Sequence, residues 1–187
     1  MVQNPGSGSL GGRPAREVSV QKMPISVHAV AMRATQGITD EVTVVYTDGA
    51  CRGNPGPGGW GWVVDGERSG TRSDASGSGG EPHTTNQRME IMAVVEALRS
   101  IEGTIHVVSD STYVVNCFRQ KWWVGWKRKG WRNSQGKPVA NRDLWEMLFA
   151  LALDGDRRVT FEWVKGHSGD PMNDLVDQLA TEAAALQ

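Results

Sequence analysis

The chain has 187 residues, a formal net charge of −1, 39% hydrophobic residues and 22% charged residues. This suits one globular domain plus some extra chain, and a domain of about 150 residues buries roughly 68–70% of its unfolded surface. No apolar run approaches the roughly 18 residues that span a bilayer, and a charge so near zero means that any nucleic-acid partner must be read from local charge.

Residues 1–40 are rich in Gly, Ser and Pro at the start and weakly patterned afterwards, so a disordered or loosely attached tail is expected. Its best candidate for a signal core, Ile25–Met32, is interrupted by His28, which argues against secretion. Arg13, Arg16, Lys22 and Arg33 face only Glu17 before Asp40. A mitochondrial transit peptide is therefore the alternative to a cytoplasmic protein. The two cysteines, Cys51 and Cys117, form no Cys-x-x-Cys pair, which points away from zinc and from a disulfide framework and towards a reduced, intracellular setting.

From residue 41 the pattern is that of a folded domain. Val42–Thr47 reads as a strand from its β-branched and aromatic run. A Gly-rich stretch leads to a second strand, Trp60–Val64. Asp65-Gly66 reads as a hairpin turn into a third, polar strand near Arg68–Ser73, and Asp74–Thr85 as a Ser/Gly-rich loop. Met89–Ile101 has apolar residues at helical spacing. Thr104–Ser109 is a buried strand, Thr112–Phe118 opens a second helix, and Arg142–Leu153 and Pro171–Leu186 are further helices around the strand Val159–Val164. On the last helix Leu175, Leu179, Ala183 and Leu186 form the expected apolar stripe. The order predicts a mixed sheet whose first three strands are antiparallel and whose later strands arrive through helical crossovers.

Four acids fall in four of these elements, and each has an ordinary structural explanation. Asp48 precedes Gly49, a turn pair. Glu90 reads as a first-turn acid facing the helix dipole, although Met89 and Ile91 flank it. Asp110 is placed to cap a helix, yet it also follows a strand, and the carboxyl ends of strands in open α/β sheets are where ligands bind. Asp177 lies at the border of its helix's apolar stripe, one turn after Asn173 and Asp174. Gathered in one place, four carboxylates would need cations to neutralise them, and hard oxygen ligands suit Mg²⁺. A pair of such ions activates water and stabilises a leaving oxygen.

The motifs around these acids closely resemble ribonuclease H, type 1. They are Tyr46-Thr47-Asp48-Gly49-Ala50-Cys51-Arg52-Gly53-Asn54-Pro55-Gly56-Pro57-Gly58-Gly59, Thr84-Thr85-Asn86-Gln87-Arg88-Met89-Glu90, Ser109-Asp110-Ser111, Val164-Lys165-Gly166-His167-Ser168-Gly169 and Asn173 through Asp177. Several motifs in order, over roughly residues 42–185, are far more specific than any one alone. The resemblance implies an α/β ribonuclease H-like fold: a five-stranded mixed sheet ordered 3-2-1-4-5, flanked by helices, over residues 41–187. It implies that Asp48, Glu90, Asp110 and Asp177 are catalytic carboxylates holding two Mg²⁺ ions, with Mn²⁺ able to substitute. It places His167 on a loop that assists proton transfer or product release, a role open to an imidazole side chain. Asn54, Asn86 and Gln87 would contact a hybrid duplex in the minor groove, where 2′-hydroxyls distinguish RNA from DNA; Asn173 joins this substrate-binding set. The expected activity is hydrolysis of the RNA strand of an RNA–DNA hybrid to 5′-phosphate and 3′-hydroxyl ends, by a monomer with no obligate protein partner and no membrane. Ala50 stands where many relatives have Ser, and Gln87 where many have Asn.

Residues 119–142 carry Arg119, Lys121, Lys127, Arg128, Lys129, Arg132, Lys137 and Arg142 with no acid. Trp122, Trp123, Trp126 and Trp131 are interleaved. Cations bind phosphates by releasing counterions, and aromatic faces can rest on sugars or bases. The stretch resembles the basic protrusion of some family members, with Trp122, Trp126, Lys127, Arg128 and Lys129 as the expected grip on the DNA strand. Two rival readings remain at this level: a non-catalytic hybrid binder using the basic stretch, and a related nuclease or transposase acting on DNA. The filled acidic positions argue against the first, and the Gly49–Gly59 and Asn86–Gln87 signatures against the second.

Overall fold

The structure is a computed structural model that describes residues 41–70, 75–154 and 157–187. The tail expected over residues 1–40, with its targeting alternatives, lies outside the described residues. The elements are β1 (Val42–Cys51), β2 (Gly56–Val64), α1 (Gly66–Ser69), β3 (Ser76–Thr84), α2 (Asn86–Ser100), β4 (Thr104–Ser109), α3 (Thr112–Arg119), α4 (Trp122–Arg128), α5 (Arg142–Leu153), β5 (Val159–Trp163) and α6 (Pro171–Ala185). They form one five-stranded sheet in the order β3-β2-β1-β4-β5. β1, β2 and β3 pair antiparallel, while β4 joins β1, and β5 joins β4, in parallel. Among the described residues no helix is long and apolar enough to cross a membrane.

Strand alternation divides the core. Val45 of β1, Trp62 and Val64 of β2, and Ile105 and Val107 of β4 pack with α2, α3 and α5. Val44, Tyr46, Val63 and Val108 point the other way and meet Val176 of α6. α2 buries seven side chains, among them Ile91, Val94 and Leu98, because it is covered by the sheet on one side and by α5 on the other. Its apolar surface is accordingly wider than the single stripe expected of a surface helix.

Of the third strand expected near Arg68–Ser73, Arg68 and Ser69 belong to α1, and residues 71–73 lie outside the described residues. Asp65 accepts a hydrogen bond from the Arg68 N–H and caps the short α1, so the Asp-Gly pair starts a helical turn rather than a hairpin. β3 instead runs through Ser76–Thr84, within the stretch read as a loop. Low β-propensity hid it. Gly77 and Gly79 stand opposite Trp62 and Trp60 in the ladder, and a Cβ on either glycine would come within 2.6 Å of the facing indole. The large rings of β2 thus supply the packing that β3's own residues lack.

The apolar stripe expected on α6 holds in part, since Ala183 is buried and Leu179 packs against the Val176 cluster, but its centre is shifted. Its buried face is Asn173, Val176, Ala180, Ala183 and Ala184, while Leu175 and Leu186 are 41% and 86% exposed. The reason lies in β2. A Cβ on Gly59 would sit 2.3 Å from the Ala180 carbonyl oxygen. The helix lies so close to the strand that only small residues fit between them.

Candidate active site

Asp48 leaves β1 on the α6 side of the sheet and is 8% exposed. Its Oδ1 accepts from the Gly49 N–H at 2.7 Å. Burial, together with the charges of Asp110, Asp177 and Glu90, pushes its carboxyl up to about 8, against the opposing pull of that N–H. The four acids are therefore close enough to feel one another, although they come from β1, α2, the end of β4 and α6. Glu90 is likewise raised, first by burial and then by Asp110, with hydrogen bonds from Ser111 and Asn86 acting in the opposite direction.

The neighbouring chain fixes each position. α2 approaches β1 closely because residue 49 is glycine: a Cβ there would lie 2.2 Å from the Glu90 nitrogen. Thr85 caps α2, so Glu90 sits in the second turn and the first turn holds no acid. The dipole reading of Glu90 fails for this reason. Its two oxygens are instead held by Asn86 Nδ2 at 2.9 Å and by the Ser111 hydroxyl at 2.6 Å. The cap expected of Asp110 is likewise supplied by its neighbour, since Ser111 Oγ accepts from the Val114 N–H. Freed from capping, Asp110 is anchored by its backbone carbonyl, which accepts from Trp163 Nε1 at 3.0 Å. The loop after β5 passes directly over it, for a Cβ on Gly166 would come 2.5 Å from Asp110 Oδ2. His167 follows on this loop, exposed and in a left-handed conformation with φ 53°.

The recognition residues divide. Asn54 Oδ1 accepts from the Asn86 N–H at 3.2 Å, so the Gly-rich loop and the start of α2 are tied beside Glu90. Gln87 is exposed and lines a cavity of about 700 Å³ shared with Trp122, Lys121, Lys129 and Arg132. Asn173 is 2% exposed, and its Oδ1 has no hydrogen-bond partner; such burial makes it part of the α6–sheet contact rather than an open substrate contact. Trp126 is mostly buried: it is 8% exposed and packs edge-on against Trp145 at 5.5 Å, and only a margin of it lines the same cavity. Lys127 rests its ammonium over Trp123 and Phe149, and neither it nor Arg128 lines the cavity. Lys121 and Arg132 do line it, and were legible only as members of the basic run. Ser111 is hidden within its motif because Asp110 beside it already accounts for a cap.

Comparison with known proteins shows the family and the fold. The RNase H family profile matches residues 40–185. The chain belongs to the ribonuclease H family. A ribonuclease H of Syntrophomonas wolfei is 51% identical over 144 residues, covering 75% of this chain and 94% of the relative. One from Moorella thermoacetica is 50% identical over 150 residues, covering 78% and 92%. Among solved structures, a type 1 RNase H bearing the type 2 active-site motif aligns with a TM-score of 0.66 at 31% identity, over 79% of this chain and 74% of that one. The N-terminal RNase H domain of a Mycobacterium tuberculosis protein aligns with a TM-score of 0.60 at 26% identity, over 78% and 94%. The five-stranded order read from the motifs is the order observed.

The donor set suits the divalent cation that this family implies. Among the described residues, no group of three or more His, Cys, Asp or Glu side chains is drawn together closely enough to hold a metal ion by itself. Mg²⁺ does not need such a cage, because it keeps several waters and binds through one or two carboxylates plus substrate phosphates. A buried carboxylate raised by three like-charged neighbours is a place where a hard cation is strongly favoured.

Proposed function

We propose that this chain hydrolyses the RNA strand of RNA–DNA hybrids, with Asp48, Glu90, Asp110 and Asp177 holding two divalent cations. The observation that carries the reading is the electrostatic convergence on Asp48, whose carboxyl is pushed up to about 8 by burial and by the other three acids. Bound there, Mg²⁺ or Mn²⁺ would lower the pKa of a coordinated water and neutralise charge on the departing 3′-oxygen.

The chain's own residues do the rest. The Ser111 hydroxyl and the Asn86 amide orient Glu90. The Gly49 N–H orients Asp48. Asn54 and Asn86, joined by a hydrogen bond, present side chains that can meet 2′-hydroxyls, while Gln87 leads towards the basic cavity. His167, on the loop over Asp110, exchanges a proton with the product side. The water oxygen would become bonded to phosphorus as the P–O3′ bond breaks, with one water proton passing to solvent and one proton reaching the departing O3′, which leaves 5′-phosphate and 3′-hydroxyl ends. Cations of the protrusion supply affinity, and the asparagines supply discrimination between RNA and DNA.

The test offers labelled hybrid, duplex DNA, duplex RNA and single strands, each with Mg²⁺ or chelator. Cleavage of the hybrid's RNA strand, with metal only, is the expected result. Asp110→Asn should remove most of that activity at an unchanged fold by circular dichroism. Near-normal cleavage by that variant would sink the four-carboxylate assignment.

A further inference from the structure

A polar chain crosses the sheet face opposite α2 and ends at the cap of α6. His106 on β4 bonds Thr160 and Glu162 of β5, at 2.7 and 2.8 Å. Glu162 Oε2 accepts from Arg68 at 2.9 Å, and Arg68 donates again to the Tyr46 hydroxyl at 3.0 Å. The Tyr46 hydroxyl donates to Asp170 Oδ2 at 3.2 Å. The other oxygen of Asp170 accepts from the Met172 and Asn173 N–H groups and caps α6.

We infer that Tyr46 is a positioning residue that sets the distance between Asp48 and Asp177. Tyr46 is 3% exposed and stands two residues before Asp48, on the same face of β1. Asp177 follows Asp170 by about two helical turns and so lies on nearly the same side of α6. One phenol thereby joins the strand that carries one acid to the helix that carries another. Such a brace adds direction to a contact that is otherwise apolar, since α6 rests on β2 through small residues against glycines and on β1 and β4 through the cluster around Val176. Apolar contact of that kind is non-directional and gives little resistance to sliding along the strand. A hydrogen bond at the helix start is directional and fixes the register.

This inference rests on the proposed metal-holding role of the acids, and its test separates the two. Tyr46→Phe keeps the ring and removes the hydroxyl. Mn²⁺ binding to the protein alone, followed by loss of the free ion's paramagnetic resonance signal, should weaken about five-fold, the size of one net hydrogen bond. The Mg²⁺ concentration giving half-maximal hybrid cleavage should rise by a similar factor, while KM for hybrid at saturating Mg²⁺ stays at the wild-type value. Loss of packing alone would lower Tm without moving metal binding.

Asp170→Ser retains an oxygen for the cap and removes the acceptor for Tyr46. It should weaken Mn²⁺ binding equally, and the double variant should add nothing further. If Tyr46→Phe does not fold, Asp170→Ser decides alone. Wild-type Mn²⁺ binding in the single variants, or fully additive losses in the double, overturns the brace. A wild-type protein that binds Mn²⁺ but leaves hybrid intact overturns the nuclease reading, while the binding comparison still decides the brace. A wild-type protein that binds no Mn²⁺ overturns both.

Discussion

The Ser111 hydroxyl lies 2.6 Å from Glu90 Oε2 and donates to it, while the same oxygen accepts from the Val114 N–H and starts α3. One small side chain thus performs two tasks, one in the fold and one at the site. Substitution can separate them. Ser111→Ala loses both and should cost about 1 kcal/mol of stability together with much of the activity. Ser111→Gly, which replaces a capping residue at only a few tenths of a kcal/mol, should keep most of the stability and lose activity to a similar extent. Urea unfolding alongside hybrid cleavage reads both. Equal activity in Ser111→Gly and the parent chain would show that Glu90 does not depend on this hydroxyl.

The raised carboxyl of Asp48 makes metal-free stability depend on pH in an unusual direction. Its folded value is about 8, against an ordinary value of 3.8. Between those two values the folded state holds the proton more tightly than the unfolded state does. Stability is therefore greatest below about pH 4 for this group and falls as pH rises towards 8. Asp48→Asn removes the charge and should raise Tm in chelator at pH 8 by several degrees, with little change near pH 4.5. Adding Mg²⁺ to the parent chain at pH 8 should recover much of the difference, because a cation held as proposed by these acids would bind the folded chain and not the unfolded one. A scan showing the parent chain more stable at pH 8 than at pH 5 in chelator, with no gain from Asp48→Asn, would contradict the crowding of charge around Asp48.

What could be read in the sequence follows the strength of local signals. β4 and α5 appear with the boundaries expected because each is bounded by clear breaks in an apolar pattern. The four acids are legible only through motif order, since no single acid distinguishes a ligand from a turn or cap residue, and the Asn54–Asn86 hydrogen bond leaves no signal in the sequence. The failures share a physical origin. β3 is polar and glycine-rich, and it exists because Trp60 and Trp62 of another strand lie over it. Leu175 and Leu186 fall outside the buried face of α6 because hydrophobicity favours Leu over Ala in a sequence reading, whereas the glycines of β2 demand the smaller residue. Trp126 looked like a platform for bases, but Trp145 and Phe149, distant in sequence, enclose it. Contacts of this kind are set by tertiary partners and leave no periodic trace.

The α6–β2 contact gives a graded test of that account. At Gly59 a Cβ would meet backbone atoms of Ala180 and Ala184 at 2.3 and 2.4 Å, which cannot yield without lifting the helix. At Gly61 the nearest atoms are 3.0 and 3.1 Å away. Gly59→Ala should therefore cost about 3 kcal/mol, the upper part of the range for overpacking, and lower Tm by roughly 6–12 °C for a domain of this size. Gly61→Ala should cost under about 1 kcal/mol, since shifts of a few tenths of an ångström suffice. Because α6 carries Asp177, the Gly59 variant should also need more Mg²⁺ for half-maximal cleavage. Similar Tm losses at both positions would refute the close-approach argument.

Trp126 and the cations beside it should fail in different ways. Lys127, Arg128 and Lys129 are exposed, and the run that holds them contains no acid from 119 to 142. Each phosphate contact they make releases counterions and contributes about 0.9 to the slope of log affinity against log salt on duplex DNA. Changing all three to Gln should weaken hybrid binding most at low salt and flatten that slope by about 2–3, with Tm within a degree or two of the parent. Lys121→Gln with Arg132→Gln, taken from the cavity shared with Gln87, should flatten it by up to about 2. Trp126→Ala removes a buried ring and should cost about 3–5 kcal/mol, yet whatever protein stays folded should keep the parent's salt slope. Binding curves across a salt series, corrected for the folded fraction, distinguish the classes. If Trp126→Ala flattened the slope as the lysine variants do, the ring would be acting at the nucleic-acid surface and its place in the core would be wrong.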